Sequence, residues 1–355
     1  MKTGSVDLPL HGGNAPRWLF ERMKKLGREI SLAIVLEYGR GELLKRLSDP
    51  VWFQSLGCVL GFDWHSSGLT TTVTGALKEG LKEEEKDIGL FFAGGKGKRA
   101  VKTPQDIEKD AERGFISNET ANKLVRTSRL VAKVDSNALQ DGYTLYHHFM
   151  VFDKEGNWTV VQQGMKVEIK YARRYHWSSE GLESFVRDPH KGIITQSIEK
   201  PLNLVDSTIE KTREKIVSVA GEDTEIVLKE IKSINLPSHH PLYPSDFNID
   251  YLRKILRRTR ELNPTDFESL LLVNGLGEKT LRALALVSNV VFGSELSVRD
   301  PALFSFAHGG KDGYPFPVEK YTYDQSIEIL RSAVEKAKIG EIERLHVLKR
   351  LEELI

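Results

Sequence analysis

The sequence predicts an α/β or α+β domain over residues 1–205, followed by an all-α domain over residues 206–355, with the boundary at 201–206. Three patterns point that way. Residues 143–153 and 158–163 are apolar runs of strand character flanking Lys154-Glu-Gly-Asn157, the signature of a β-hairpin. From about residue 207 onward the apolar positions recur with helical spacing instead. Between two of those helical runs stands Leu271-Leu-Val-Asn-Gly-Leu-Gly-Glu-Lys-Thr280, a short turn built on two glycines.

In chain order, a first helix is expected from Pro16, a residue favoured at the first helical position, with Trp18, Leu19, Met23 and Leu26 turned inward. A second is expected through Ile34, Val35 and Leu43. Thr70-Thr-Thr-Val-Thr74 has the β-branched composition of a strand, and residues 77–87 read as a charge-rich helix with a solvated face. Gly89-Leu-Phe-Phe-Ala93 is a short buried strand running into Gly94-Gly-Lys-Gly-Lys-Arg99. Thr103 then caps a helix with Pro104 in its first position and Asp106 as capping-box partner. Strand, loop and helix make either a phosphate cradle carrying Lys96 and Lys98 or a solvated turn. The spacing is not that of a nucleotide-binding P-loop.

Within the hairpin, His147, Phe149, Val151 and Asp153 share one strand face, and His148, Met150 and Phe152 share the other. Tyr171-Ala-Arg-Arg-Tyr-His-Trp177 follows. Its Arg173 and Arg174 suit phosphates and exposed bases, or else a packed aromatic layer with snorkelling arginines. Arg253, Lys254, Arg257 and Arg258 recur at helical spacing opposite Leu252, Ile255 and Leu256, forming a basic stripe or a solvated face upstream of the glycine turn.

Composition narrows the function classes. The chain has 355 residues with 51 Lys and Arg against 50 Asp and Glu, so any surface for a polyanion has to be local. One cysteine, Cys58, rules out an intrachain disulfide and a cysteine-based zinc site. No stretch approaches the roughly 18 apolar residues of a membrane span, and the expected compartment is the cytoplasm.

The glycine turn carries the clearest chemistry. Phe267, Leu270, Leu271 and Val273 fit one helical face, Asn274-Gly275 stops that helix, and the next begins at about Glu278. Gly275 and Gly277 allow positive φ and close backbone approach, and a phosphate oxygen can meet the first N–H groups of the second helix. The segment resembles the helix-hairpin-helix motif of DNA repair and recombination proteins. The resemblance implies sequence-independent binding of DNA phosphates by Gly275, Gly277, Lys279 and Thr280, with Arg253 and Arg257 alongside. The alternative is a glycine-capped turn of the core.

Catalysis is expected in the first domain. Asp63 and His65 share a face if they lie on a strand, and with His147 and His148 they are expected to line one pocket holding magnesium or manganese. Such an ion would activate water for phosphodiester hydrolysis, making the protein a DNA nuclease or repair-processing enzyme. Asp188-Pro-His190 and Pro237-Ser-His-His-Pro241 with Asp246 are further pairs. Asp153, Gln163 and Lys166 faintly resemble the acid-hairpin-acid-x-lysine layout of restriction-type nucleases, with Gln163 in place of the second acid. Lys279 and Asp300 similarly resemble the lysine and aspartate of base-excision glycosylases, which implies a glycosylase or abasic-site lyase as an alternative. A non-catalytic DNA-binding scaffold is the third possibility.

Taken end to end, Leu8-Pro-Leu-His-Gly-Gly-Asn-Ala-Pro-Arg-Trp-Leu-Phe20, Phe62-Asp-Trp-His-Ser-Ser-Gly68, Ala93-Gly-Gly-Lys-Gly-Lys98, Tyr143-Thr-Leu-Tyr-His-His148, Ala172-Arg-Arg-Tyr-His-Trp177 and Phe304-Ser-Phe-Ala-His-Gly-Gly-Lys-Asp-Gly313 resemble the family numbered 763 among domains of unknown function. That resemblance implies that these segments belong together, and no activity. His308, Lys311 and Asp312 stand in a loop expected to meet a phosphate or an ion, or to be fixed internally.

Overall fold

The structure, a computed structural model, describes residues 8–10, 15–62, 66–196, 199–233, 248–302, 304–305, 320–337, 344–345 and 348–349. Four helices lead the chain: α1 (Arg17–Tyr38), α2 (Arg40–Ser48), α3 (Pro50–Val59) and α4 (Ser67–Gly80). There follow α5 (Glu85–Ile88), β1 (Leu90–Lys96), α6 (Lys98–Val101), α7 (Thr103–Glu112) and α8 (Asn118–Lys133), which runs into a π-helical turn at Val134–Ala138. The strands β2 (Leu139–Gln140), β3 (Thr144–Asp153), β4 (Trp158–Lys166), β5 (Tyr171–Ser178), β6 (Gly192–Thr195) and β7 (Leu202–Asn203) come next. The remainder comprises α9 (Glu210–Gly221), α10 (Thr224–Ser233), α11 (Ile249–Leu262), α12 (Phe267–Leu271), α13 (Glu278–Val290), β8 (Phe304–Ser305) and α14 (Lys320–Lys336).

Strands β1, β3, β4, β5 and β6 form an antiparallel sheet in that order, and the two-residue β8 joins β6 in parallel at the edge. Strand alternation sends Phe92, Phe149, Val151 and Val161 to one face, where they pack with Ile30 of α1, Leu44 of α2, Phe53 of α3 and Val73 of α4. Leu330 and Val334 of α14 close the same layer. Phe91, Met150, Phe152, Val160 and Trp177 point the other way, onto Ile107 of α7 and Val131 of α8. From there the cluster continues without interruption into α9–α13. The result is a mixed α/β architecture of three layers, with the sheet in the middle and residues on both sides of position 205 sharing one apolar cluster.

Several local expectations are corrected. Thr70–Thr74 lies inside α4, because Ser66 caps the helix and spacing three and four apart brings Ser67, Thr70 and Thr74 onto one buried face. That face meets polar groups of the sheet, and tertiary hydrogen bonding overrides β propensity. Trp18 is 61% exposed, and Ile34 and Val35 belong to α1, which ends where Gly39 takes φ 87°. The charged stretch breaks at Gly80 rather than running on to 87. Thr103 is not a cap: its hydroxyl donates to Ala100, and the Asp106 carboxylate accepts instead from Gly94 N (3.1 Å) and Lys78 Nζ (2.9 Å).

Candidate nucleic-acid interface

The turn between α12 and α13 is set by its two glycines in different ways. Gly275 has φ 89°, and a Cβ there would come 2.6 Å from Ile255 Cδ1, so the turn itself demands glycine. Gly277 is extended (φ −119°, ψ −179°), with open space where a Cβ would stand. The expectation of positive φ therefore holds at Gly275 and fails at Gly277. Leu276, wholly buried between them, locks the turn onto the rest of the fold. Its carbonyl accepts from Lys133 Nζ (2.9 Å) and Asn137 Nδ2 (3.2 Å), and Tyr251 of α11 donates its hydroxyl to the Gly275 carbonyl (2.8 Å). Gln140 Nε2 holds the Glu278 carbonyl (3.0 Å). The 13-residue α13 then opens at Gly277 without a side-chain cap, Lys279 is exposed, and Thr280 is buried and turned away from solvent.

Cations flank this helix start on two sides. On α11, Arg253 and Arg257 share Glu225 (2.9 and 3.2 Å), and Arg253 also meets Asp250. These are solvated pairs, weak and screened by salt, and phosphates can compete for them. Lys254 and Arg258 are exposed, and their helical spacing places them along the flank of Tyr251. On α8, Arg126, Arg129 and Lys133 follow at spacings of three and four and lead to the turn, with Arg129 exposed and Lys133 half-buried. Burial pushes Lys133 below the ordinary lysine range. Sequence reasoning missed this second stripe. Its periodicity was visible, whereas the contact of Lys133 with Leu276 depends on the fold.

His147 and His148, expected to line one catalytic pocket, do not share one. His147 and His148 point to opposite faces of the sheet. His147 Nε2 meets Thr74 Oγ1 of α4 (3.1 Å), whereas His148 Nε2 meets Ser128 Oγ of α8 (3.0 Å) and its Nδ1 meets Gln162 Oε1 (2.6 Å). Gln162 continues to Asp135, which also accepts from His190 Nε2 (2.6 Å) and Trp177 Nε1 (2.9 Å). His190 is thus separated from Asp188, which pairs with Arg299. Asp153 lies six residues along β3 from His147, about 20 Å away, where its carboxylate binds Asn157 and closes the hairpin turn. Asp63 and His65 lie outside the described residues, as do residues 237–241, Asp246, His308, Lys311 and Asp312. Among the described residues no group of three or more His, Cys, Asp or Glu side chains is placed to hold a metal ion.

Arg173 and Arg174, expected on a nucleic-acid surface, are both wholly buried. Arg173 grips Asp300 through two nitrogens and also pairs with Asp141 (3.2 Å). Asp300 further accepts from the backbone N–H groups of Glu199 (2.8 Å) and Ala302 (3.0 Å). It is a buried tie and not a carboxylate facing a sugar. Lys166 pairs with Glu199 (2.7 Å). What the structure does bring together at one end of the sheet is Lys96, His147, Gln163 and Arg174, successive across β1, β3, β4 and β5. Lys96 and Lys98 are exposed there.

Among the described helices none is long and apolar enough to cross a membrane. Residues 4–318 match a family model described as "Protein of unknown function (DUF763)". No curated protein matches, and no solved structure matches.

Proposed function

The chain belongs to that family of unknown function, and from its own residues we propose that it binds DNA through the phosphate backbone at the α12–α13 turn. The observation that carries this reading is Gly277. Its backbone is one that any residue adopts and its missing side chain would point into open space, so the fold itself does not call for glycine there. A ligand that must approach the backbone closely does. The start of a 13-residue helix, the exposed Lys279, and the cations of α8 and α11 on either side supply donors and positive charge without any base-reading element. Sequence-independent duplex binding follows from that donor set. The reading stops at binding, because the described residues expected to hydrolyse DNA, His147, His148, Asp153 and Gln163, are distributed over both faces and both ends of the sheet.

The test is Gly277→Val against wild type, with a labelled duplex followed by fluorescence anisotropy across a salt series. The variant should keep the wild-type melting temperature and lose affinity about tenfold, or 1.4 kcal/mol. Wild-type affinity should fall with salt by roughly 0.9 log units per log unit for each phosphate neutralised. A folded variant with unaltered affinity would remove the turn from the interface.

A further inference from the structure

A buried charge is either paired or costly. Arg173 is paired, by Asp141 and Asp300. Its neighbour Arg174, on the opposite face, has the Cys58 sulfur near enough to favour its charge, and among the described residues it hydrogen-bonds to neutral groups only. These are His176 Nε2 (2.9 Å), Gln54 Oε1 (2.8 Å) and Thr70 Oγ1 (3.3 Å), with the Phe53 ring 4.9 Å from its Cζ. No carboxylate pairs with it among the described residues, and burial pushes it down to about 9. Three of its five N–H donors are used by these contacts.

Gln163 stands between Arg174 and His147 in the strand register, so the three side chains form a row under α4. A β-bulge adds a fourth. Leu145 pairs with Gly164 and His147 with Gln163, which leaves Tyr146 as the extra residue, and its hydroxyl is turned onto Gln163 Nε2. Bulges that re-aim a side chain in this way occur next to functional sites. The Thr74 hydroxyl donates to the Thr70 carbonyl (2.8 Å), so it accepts from His147 Nε2–H. His147 Nδ1 is therefore a bare lone pair, buried and without a partner among the described residues. Burial, aided by the charges of His148 and Lys96, pushes this imidazole down to about 3 and keeps it neutral. Directly outside, the Tyr146 carbonyl accepts from Gly97 N (2.7 Å) in the exposed loop that carries Lys96, Lys98 and Arg99.

We propose that this end of the sheet binds a terminal phosphate group. Arg174 and Gln163 would hold its oxygens, the protonated oxygen would donate to His147 Nδ1, and the Lys96–Lys98 loop would attract it. A guanidinium with no carboxylate partner among the described residues, an amide and the Tyr146 hydroxyl make a donor set for an oxyanion, and the buried lone pair of His147 matches the single O–H of a phosphate monoester monoanion. A divalent cation is disfavoured beside Arg174 for the same electrostatic reason. Tyr146 stands between the basic loop and Gln163, and lifting its hydroxyl frees one N–H of the Gln163 amide for the ligand while the other stays on the Ser67 carbonyl (2.9 Å). The phosphate is either a free small molecule or the end of a nucleic-acid strand.

The experiment is a titration of the full chain with inorganic phosphate at constant ionic strength, read by melting temperature. Wild type should show a saturable rise of several degrees at about 100-fold excess over Kd. Arg174→Met should abolish it. Lys96→Ala with Lys98→Ala, a surface change that leaves the fold intact, should weaken Kd several-fold. Gly277→Val should respond as wild type, which separates this site from the α12–α13 turn. A wild-type protein indifferent to phosphate would show that Arg174 finds its counter-charge elsewhere in the chain and would overturn the site. A folded Arg174→Met, or the Lys96/Lys98 variant, with an unchanged response would overturn it equally. In the Gly277→Val background, tighter binding of a 5′-phosphorylated oligonucleotide than of its 5′-hydroxyl form identifies a strand end as the source. Equal binding of the two with a retained phosphate response identifies a free phosphate.

Discussion

Arg173 and Arg174 are adjacent in sequence, yet strand alternation sends them to opposite faces and into opposite electrostatic situations. Arg173 ties β5 to Asp300 beyond α13, and breaking a buried pair by removing one partner leaves an uncompensated charge. Asp300→Ala should therefore lower stability by about 3–5 kcal/mol, measured by denaturant unfolding. If Asp300 instead served chemistry at Lys279, stability would hardly move. A second residue-scale effect concerns acid groups. Burial raises Glu85 to about 7 and Asp110 to about 6, and each has a further carboxylate nearby that adds to the rise. Since both folded values lie above the unfolded ones, the fold disfavours their ionisation. Stability should fall as pH rises from about 4 through 7, and Glu85→Gln should flatten that slope in melting temperatures taken between pH 5 and 8.

At the scale of elements, the two glycines of the α12–α13 turn look alike in sequence and differ in physics. Gly275 holds a left-handed conformation against Ile255, and Gly277 does not. Gly275→Ala should destabilise by about 1–3 kcal/mol, while Gly277→Ala should be neutral or slightly stabilising through the unfolded state. Thermal melts of the two single variants check this, and equal losses would contradict the assignment. The hairpin of β3 and β4 was legible because alternation and a Gly-Asn turn say the same thing locally. The helix α4 was not, since its threonines are chosen by hydrogen-bonding partners on a sheet still far ahead in the chain.

For the whole molecule, the second apolar cluster runs from the sheet through α8 into α9–α13, and α14 returns to the layer of α1–α4. Heat should therefore unfold the protein in one cooperative calorimetric transition, whereas two resolved transitions would separate the helical half from the sheet. The same packing fixes the α12–α13 turn relative to the sheet, through Lys133, Asn137 and Gln140.

The sequence alone determined the elements whose signals are local: the first helix at Pro16, the buried strand at 90–93, the β-hairpin, and the glycine turn between two helices. It also determined which residues share a strand face, because that follows from a period of two. Tertiary structure decided which groups meet. It placed His147 with Gln163 and Arg174 while sending His148 to Ser128, buried both arginines, and brought Lys133 to Leu276 across more than a hundred residues. The physical reason is that strand order, register and the bulge at Tyr146 are set by non-local pairing, and a one-residue change there moves a side chain from one layer of the protein to the other.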